Sequence, residues 1–348
     1  MSARGTTVDI AADPFQERGA NLQRLSLPLL GGRFEFRTAS RELMQLVRRA
    51  FAGLPAHRTP AEAPRCVIRL ALSGGAPAHR PDEPPPLTML SGPGLLCGLS
   101  PAASAAMVST EQRAGLVVVE RDMLRYPYHV RYELIEFAVF TLAARVQGLM
   151  PLHAACVGSG RRAILLIGGS GAGKSTAVLH SALGGFEVVS EDSLFVAPES
   201  LRATGIANFL HVRRESLRFL SASDAALLRR SPMIRRRSGV EKLEIDLRQR
   251  RFHLARAPLE LVAVVDLTPR PAGGRPLLTR LGARALLRRL RAGQPYAASQ
   301  PGWGAFARRI RGVPAFELRR GSHPRETVEA LRQLVREGRG AGAERMRP

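Results

Sequence analysis

Gly168-Gly169-Ser170-Gly171-Ala172-Gly173-Lys174-Ser175-Thr176 follows a short apolar run, Ala163-Ile164-Leu165-Leu166-Ile167, and opens a helical stretch, Thr176 to Leu183, closed by Gly184-Gly185. The segment satisfies the phosphate-loop pattern, with Gly168, Gly173, Lys174 and Ser175 in the four fixed places. The apolar run reads as a buried strand. Strand, glycine turn and helix start are what a bound polyphosphate requires. Glycines let backbone N–H groups converge on the phosphates, and the helix N-terminus adds partial positive charge. The pattern predicts that the whole run from Gly168 to Thr176 cradles a polyphosphate, that Lys174 reaches the outer phosphates, and that the Ser175 hydroxyl meets Mg²⁺. The fold class expected from this order of elements is α/β.

The chain has 348 residues, enough for one large or two ordinary domains. Cys66, Cys97 and Cys156 make no zinc spacing and no even disulfide set, which suits a reducing compartment. The first twenty residues carry Asp9, Asp13 and Glu17 and no long apolar stretch, and no segment is apolar enough to span a bilayer. The expectation is a cytoplasmic protein with no membrane partner.

Net charge is +23, from 52 basic and 29 acidic residues. A nucleic-acid partner is not expected, because the arginines are spread along the whole chain, aromatics are few and no nucleic-acid motif accompanies them. One cluster, Arg229, Arg230, Arg235, Arg236 and Arg237, reads as a solvated loop in preference to a grip on phosphates or an acidic partner. Only two of the 52 basic residues are lysines, Lys174 and Lys242. Where positive charge alone suffices this chain uses arginine. A compact, mobile ammonium is thus wanted at two places. Lys174 has its reason in the phosphate loop, and Lys242 becomes a candidate phosphate or substrate contact.

Outward from the loop, Arg33 to Arg37, Cys66 to Leu72 and Leu116 to Val119 read as strands, and Ser40 caps a helix carrying Leu43, Leu46, Val47 and Phe51. Tyr132 to Val146 reads as an apolar helix. Further strands are expected at Phe186 to Val189, Leu243 to Leu247 and Leu261 to Val265, and a last helix at Pro324 to Val335, with Glu326 in its first turn and Gly338 past its end. The predicted domains are an α+β unit over 1–148, suited to partner recognition, a phosphate-loop domain over 149–337, and a disordered tail over 338–348. The first twenty residues read as loosely ordered and Gly74 to Pro86 as a mobile loop.

Other phosphate-loop families leave marks that are misplaced here. Leu72-Ser73-Gly74-Gly75 imitates a transporter signature but lies far before the loop and reads as a strand end and turn. Leu261 to Asp266 imitates a metal-binding strand, and equally a buried strand ending at a surface Asp. A better-placed acidic pair is Glu191-Asp192, seventeen and eighteen residues after Lys174, at the end of the strand Phe186 to Ser190. Two carboxylates there suit Mg²⁺ binding and proton acceptance from a hydroxyl.

With these residues in place, the chain resembles the catalytic domain of the HPr kinase/phosphorylase family. His153-Ala154-Ala155-Cys156-Val157 stands for the family's His-containing strand, fifteen residues before Gly168, followed by the loop, Gly185 and the acidic pair. The resemblance covers roughly residues 149–335, and its specific part is the first 45 of these. It implies a compact kinase domain related to phosphoenolpyruvate carboxykinase, use of ATP and Mg²⁺, and transfer of the γ-phosphoryl to a serine-type hydroxyl. It implies that Lys174 stabilises the transferring group, that Ser175 and Asp192 contact the metal, that Glu191 is the base and that His153 orients it. It also places Arg213 and Arg256 in the substrate-capturing stretches. The chain departs from the family in carrying Glu191 where an Asp is usual, in having His211-Val212-Arg213-Arg214-Glu215 where a glycine-rich signature is expected, and in its amino-terminal part. HPr is therefore not the expected acceptor; a protein, a peptide or a small hydroxyl compound stays open, as does homo-oligomerisation. Two other readings compete: an ATP-binding regulatory module without efficient transfer, and an arginine-rich protein that binds nucleic acid and uses ATP for conformational change.

Overall fold

The computed structural model describes residues 22–57, 63–74, 86–92, 94–100 and 104–344. The first twenty residues, most of the Gly74–Pro86 loop and the last four residues of the tail lie outside it. The chain divides into two units, Met1–Gln147 and Gly148–Pro348.

The first unit holds seven strands, β1 (Gln23–Leu29), β2 (Gly32–Thr38), β3 (Arg65–Ser73), β4 (Thr88–Gly92), β5 (Leu95–Leu99), β6 (Ala105–Ser109) and β7 (Ala114–Glu120), in the order β1-β2-β3-β7-β6-β5-β4. β2, β3 and β7 are parallel neighbours, and the other pairs are antiparallel. β6 and β7 alternate buried and half-buried residues, the mark of a sheet covered fully on one face. The helix Arg41–Phe51 begins where the Ser40 hydroxyl accepts the Leu43 N–H at 3.2 Å, and it stacks Phe51 on Phe36. The helix expected from Tyr132 starts earlier: a π-helical turn, Val130–Ile135, leads into Glu136–Val146.

The second unit is α/β with mixed sheets. Its strands are β8 (Met150–His153), β9 (Ala155–Ser159), β10 (Arg162–Ile167), β11 (Glu187–Ser190), β12 (Ser193–Val196), β13 (Arg202–Gly205), β14 (Phe209–Val212), β15 (Met233–Arg235), β16 (Glu241–Asp246), β17 (His253–Leu254), β18 (Leu259–Pro271), β19 (Leu278–Leu281) and β20 (Ala315–Arg320). The large sheet runs β17-β11-β9-β10-β18-β13-β12-β8, with β20 alongside the far end of β18 and β19 on β20; β14-β16-β15 is a separate small sheet. The apolar run of β10 is continuous because both its faces are buried. Ile164 and Leu166 pack with Val178 and Leu179 of the helix Lys174–Leu183 and Leu331 of the helix Pro324–Glu344. Ala163, Leu165 and Ile167 pack on the opposite face with Leu286, Leu290, Phe306 and Ile310.

This arrangement sets the position of the site. β10 and β11 are both antiparallel to β9, which lies between them, so they run the same way and end at the same edge of the sheet. β18 is parallel to β10 and places Asp266 opposite Ile167. The phosphate loop and Glu191-Asp192 therefore gather at the carboxyl ends of β10 and β11, level with Asp266 within β18, and the carboxyl ends of strands are where ligands of α/β sheets bind.

β9 separates β11 from β10. Two expectations need correction. β18 does not stop at Asp266 but continues to Pro271, because β20 pairs with its far half. The last helix runs through Gly338 to Glu344 in place of an unstructured tail. Gly338 is used there for a close approach, since a Cβ on it would stand 3.1 Å from Cβ of Val262. Among the described residues no helix is long and apolar enough to cross a membrane.

Candidate phosphate-loop site

The loop geometry follows from its glycines. Gly168 has φ 140°, and a Cβ there would lie 2.6 Å from the Leu267 carbonyl oxygen, so no other residue fits without displacing β18. Gly173, at φ 101°, caps the helix Lys174–Leu183 with its carbonyl, which accepts the Ala177 N–H at 2.8 Å. It has no side chain to occupy the first N–H groups of the helix, and these point into the loop, as anion binding requires.

Lys174 donates from Nζ to the carbonyls of Gly168 at 2.6 Å and Gly169 at 3.3 Å. Burial pushes its pKa below the ordinary lysine value, opposed by the carboxylates of Asp192, Glu191 and Asp266. The Ser175 hydroxyl donates to Oε1 of Glu191 at 2.5 Å. Thr176 Oγ1 shares a hydrogen bond of 3.0 Å with Ser216 Oγ, which ties the loop helix to the segment after β14.

The acidic pair is fixed from several sides. His153 faces Ser193 across the β8–β12 ladder, and its Nδ1 lies 2.9 Å from Oδ1 of Asp192. The Gln294 side chain grips the His153 backbone at both ends, accepting its N–H at 2.8 Å and donating to its carbonyl at 2.9 Å. Nη2 of Arg236 stands 3.6 Å from the other Asp192 oxygen. The arginine cluster is therefore not one solvated loop, since one member turns inward to an acid of the site. Glu191 is buried, with Oε2 3.4 Å from His211 Nδ1, and His211 Nε2 faces Glu244 at 3.5 Å.

Lys242 and Glu244 share one face of β16, two residues apart. Lys242 is half-buried. Its pKa is lowered first by burial and then by the nearby charge of Arg236 and Arg213, while Glu191 and Asp192 raise it. The structure thus brings Lys174, Ser175, Glu191, Asp192, His153 and Lys242 to one edge, with Arg213 exposed near Lys242. Arg256 is exposed and follows β17, which runs parallel to β11 at the margin of the sheet; no contact ties it to the acidic pair. The pairing also differs from expectation. Ser175 meets Glu191 instead of Asp192, and His153 meets Asp192 instead of Glu191. Asp266 is engaged with Arg289, which also pairs with Glu317.

Sequence reading missed His211, Glu244 and Gln294. Glu244 had a signal: a carboxylate between Leu243 and Ile245 on an apolar strand demands a buried partner. Among the described residues, no group of three or more His, Cys, Asp or Glu side chains is set to hold a metal ion. A surface hollow of about 550 Å³ between Leu277, Leu278 and the helix Pro324–Glu344 includes none of these site residues.

No family model matches the chain, and no curated protein matches it. Among solved structures it is similar to the Hpr(Ser) kinase/phosphatase from Coxiella burnetii, at 13% identity, covering 56% of this chain and 93% of that chain, with a TM-score of 0.26. A likeness of that size carries no argument about this chain's activity.

Proposed function

We propose that this chain is an ATP-dependent kinase that transfers the γ-phosphoryl of MgATP to a serine-type hydroxyl of a protein, peptide or small molecule. The observation that carries the reading is the 2.5 Å bond between Ser175 of the phosphate loop and Glu191 of the acidic pair. It joins the phosphate-binding element to the carboxylates that phosphoryl transfer needs.

A hydroxyl and a carboxylate side by side are hard oxygen donors and suit Mg²⁺, which keeps waters and phosphate oxygens as its remaining ligands. Ser175 and Glu191 would hold it, and the ion would neutralise charge between the outer phosphates. Asp192 takes the expected base role in place of Glu191. Its carboxylate accepts the proton of the acceptor hydroxyl as that oxygen bonds to phosphorus and the bond to ADP breaks. His153 keeps Asp192 in position, and Gln294 keeps His153 in position. Lys174 leaves its two carbonyl partners for the phosphates, and Lys242 and Arg236 add positive charge on the acidic side.

Calorimetry with ATP and Mg²⁺, followed by transfer of labelled phosphate from ATP to lysate components, tests this. Lys174→Ala should abolish binding, and Asp192→Asn should leave ATP bound and reduce transfer by at least about 100-fold. Absence of ATP binding by the intact protein refutes the reading. ATP binding without transfer to any component favours a regulatory module.

A further inference from the structure

We propose that His211, braced by Glu244, is a positioning residue that holds the Glu191 carboxylate against Ser175. The inference rests on the reading of Ser175 and Glu191 as the Mg²⁺-holding pair, and it assigns a role to residues outside that pair.

Glu191 and Glu244 are 5% and 2% exposed, and buried carboxylates need partners. They share one neighbour, the equally buried ring of His211, with Nδ1 toward Glu191 at 3.4 Å and Nε2 toward Glu244 at 3.5 Å. The two contacts are at ion-pair distance, and because carboxylates only accept, it is the N–H edges of the ring that these acids attract. The ring is thereby fixed at both ends, because turning it over would break both contacts. Its anchor is built by the backbone: His211 and Glu244 are direct partners across the antiparallel β14–β16 ladder. Glu191 hangs from the other end of the ring, and its second oxygen accepts from Ser175. A chain of four side chains, Glu244–His211–Glu191–Ser175, thus runs from the small sheet to the phosphate loop. Groups behind a metal-holding carboxylate commonly control affinity or activity by about 10- to 100-fold.

Burying three ionisable groups could instead serve folding alone. The two roles separate in the Mg²⁺ dependence of ATP binding, with ATP in EDTA as the reference. For His211→Gln, ATP affinity in EDTA should stay within about twofold of wild type, while the Mg²⁺ concentration giving half the metal-dependent gain rises by about 10- to 100-fold. The double variant His211→Gln/Glu244→Gln restores a donor–acceptor match along the chain, because the amide at 244 can donate to the carbonyl at 211. It should recover most of that loss. If His211→Gln does not fold, Glu244→Gln alone decides: its carbonyl still accepts from the ring but the anchoring charge is gone, so the Mg²⁺ requirement should rise. A folded His211→Gln with wild-type Mg²⁺ dependence overturns the proposal, as does a double variant no better than the single, or Glu244→Gln with unchanged dependence. Failure of the wild-type protein to bind ATP in either condition overturns instead the kinase reading on which the proposal stands.

Discussion

Burial lowers the Lys242 pKa, as do the charges of Arg236 and Arg213, while the charges of Glu191 and Asp192 raise it. An ammonium on a flexible stem can shift between those carboxylates and an incoming phosphate. A guanidinium at the same place is wider, planar and fixed in its donor geometry. Lys242→Arg should therefore cut phosphoryl transfer by at least about tenfold while ATP affinity stays within about twofold, as read by steady-state transfer and calorimetry. Equal turnover would return Lys242 to the role of a simple surface charge. At this scale the signal was scarcity: in a chain that prefers arginine, the two lysines are Lys174 in the glycine loop and Lys242 on the small sheet, and both feel the charges of Glu191 and Asp192. Gln294 left no such trace, because its partner His153 is 141 residues away and the contact is made to backbone, which any residue carries. Which of Glu191 and Asp192 meets Ser175 was equally hidden. Adjacent residues at a strand end point apart, and their aim depends on where β12 and β8 take the chain next.

The phosphate-loop helix carries its own pH sensitivity. His180 on the helix Lys174–Leu183 is 7% exposed and lies edge-on to Phe219 and His323, at 6.3 and 6.0 Å between ring centroids. Burial first, then the charges of His323 and Arg325, push its pKa down to about 4. The folded state thus binds fewer protons at this residue than the unfolded chain does between about pH 6.5 and 4. Its contribution to stability is fully present above about pH 6.5 and is lost as the pH falls toward 4, up to about 3 kcal/mol. Thermal melts from pH 7 to 4.5 should show a falling Tm that flattens in His180→Phe; an identical slope in the variant refutes the assignment. Strand, loop and helix around this element were legible because both the apolar run and the glycines obey local rules. The strands β12, β13, β15, β19 and β20 were not, since three to six residues cannot establish a period and their pairing comes from distant partners.

Across the whole molecule, every residue in the two cores on either side of β10 comes from the second unit. A chain of residues 148–348 should fold alone and bind ATP within about threefold of the full-length affinity, because it contains both cores and the loop and acid partners His153, His211, Ser216, Arg236 and Gln294. Calorimetry on the two proteins checks this, and a fragment that binds ATP poorly though folded would show that the first unit shapes the site. The mixed sheet was beyond sequence reading for a physical reason. Whether β9 returns antiparallel beside β10 depends on a two-residue turn at Gly160–Arg161, while periodicity reports only that both strands are buried.

The grip of Gln294 on His153 also orders events in time. The loop and the acidic pair leave the ribosome about 100 residues before Gln294 does, an interval of about 5 to 20 s at ordinary rates of synthesis. During that interval the emerging loop and acidic pair lack the amide that steadies the histidine beside Asp192. On the kinase reading, phosphoryl transfer, as distinct from nucleotide capture, therefore waits for the segment that carries Gln294.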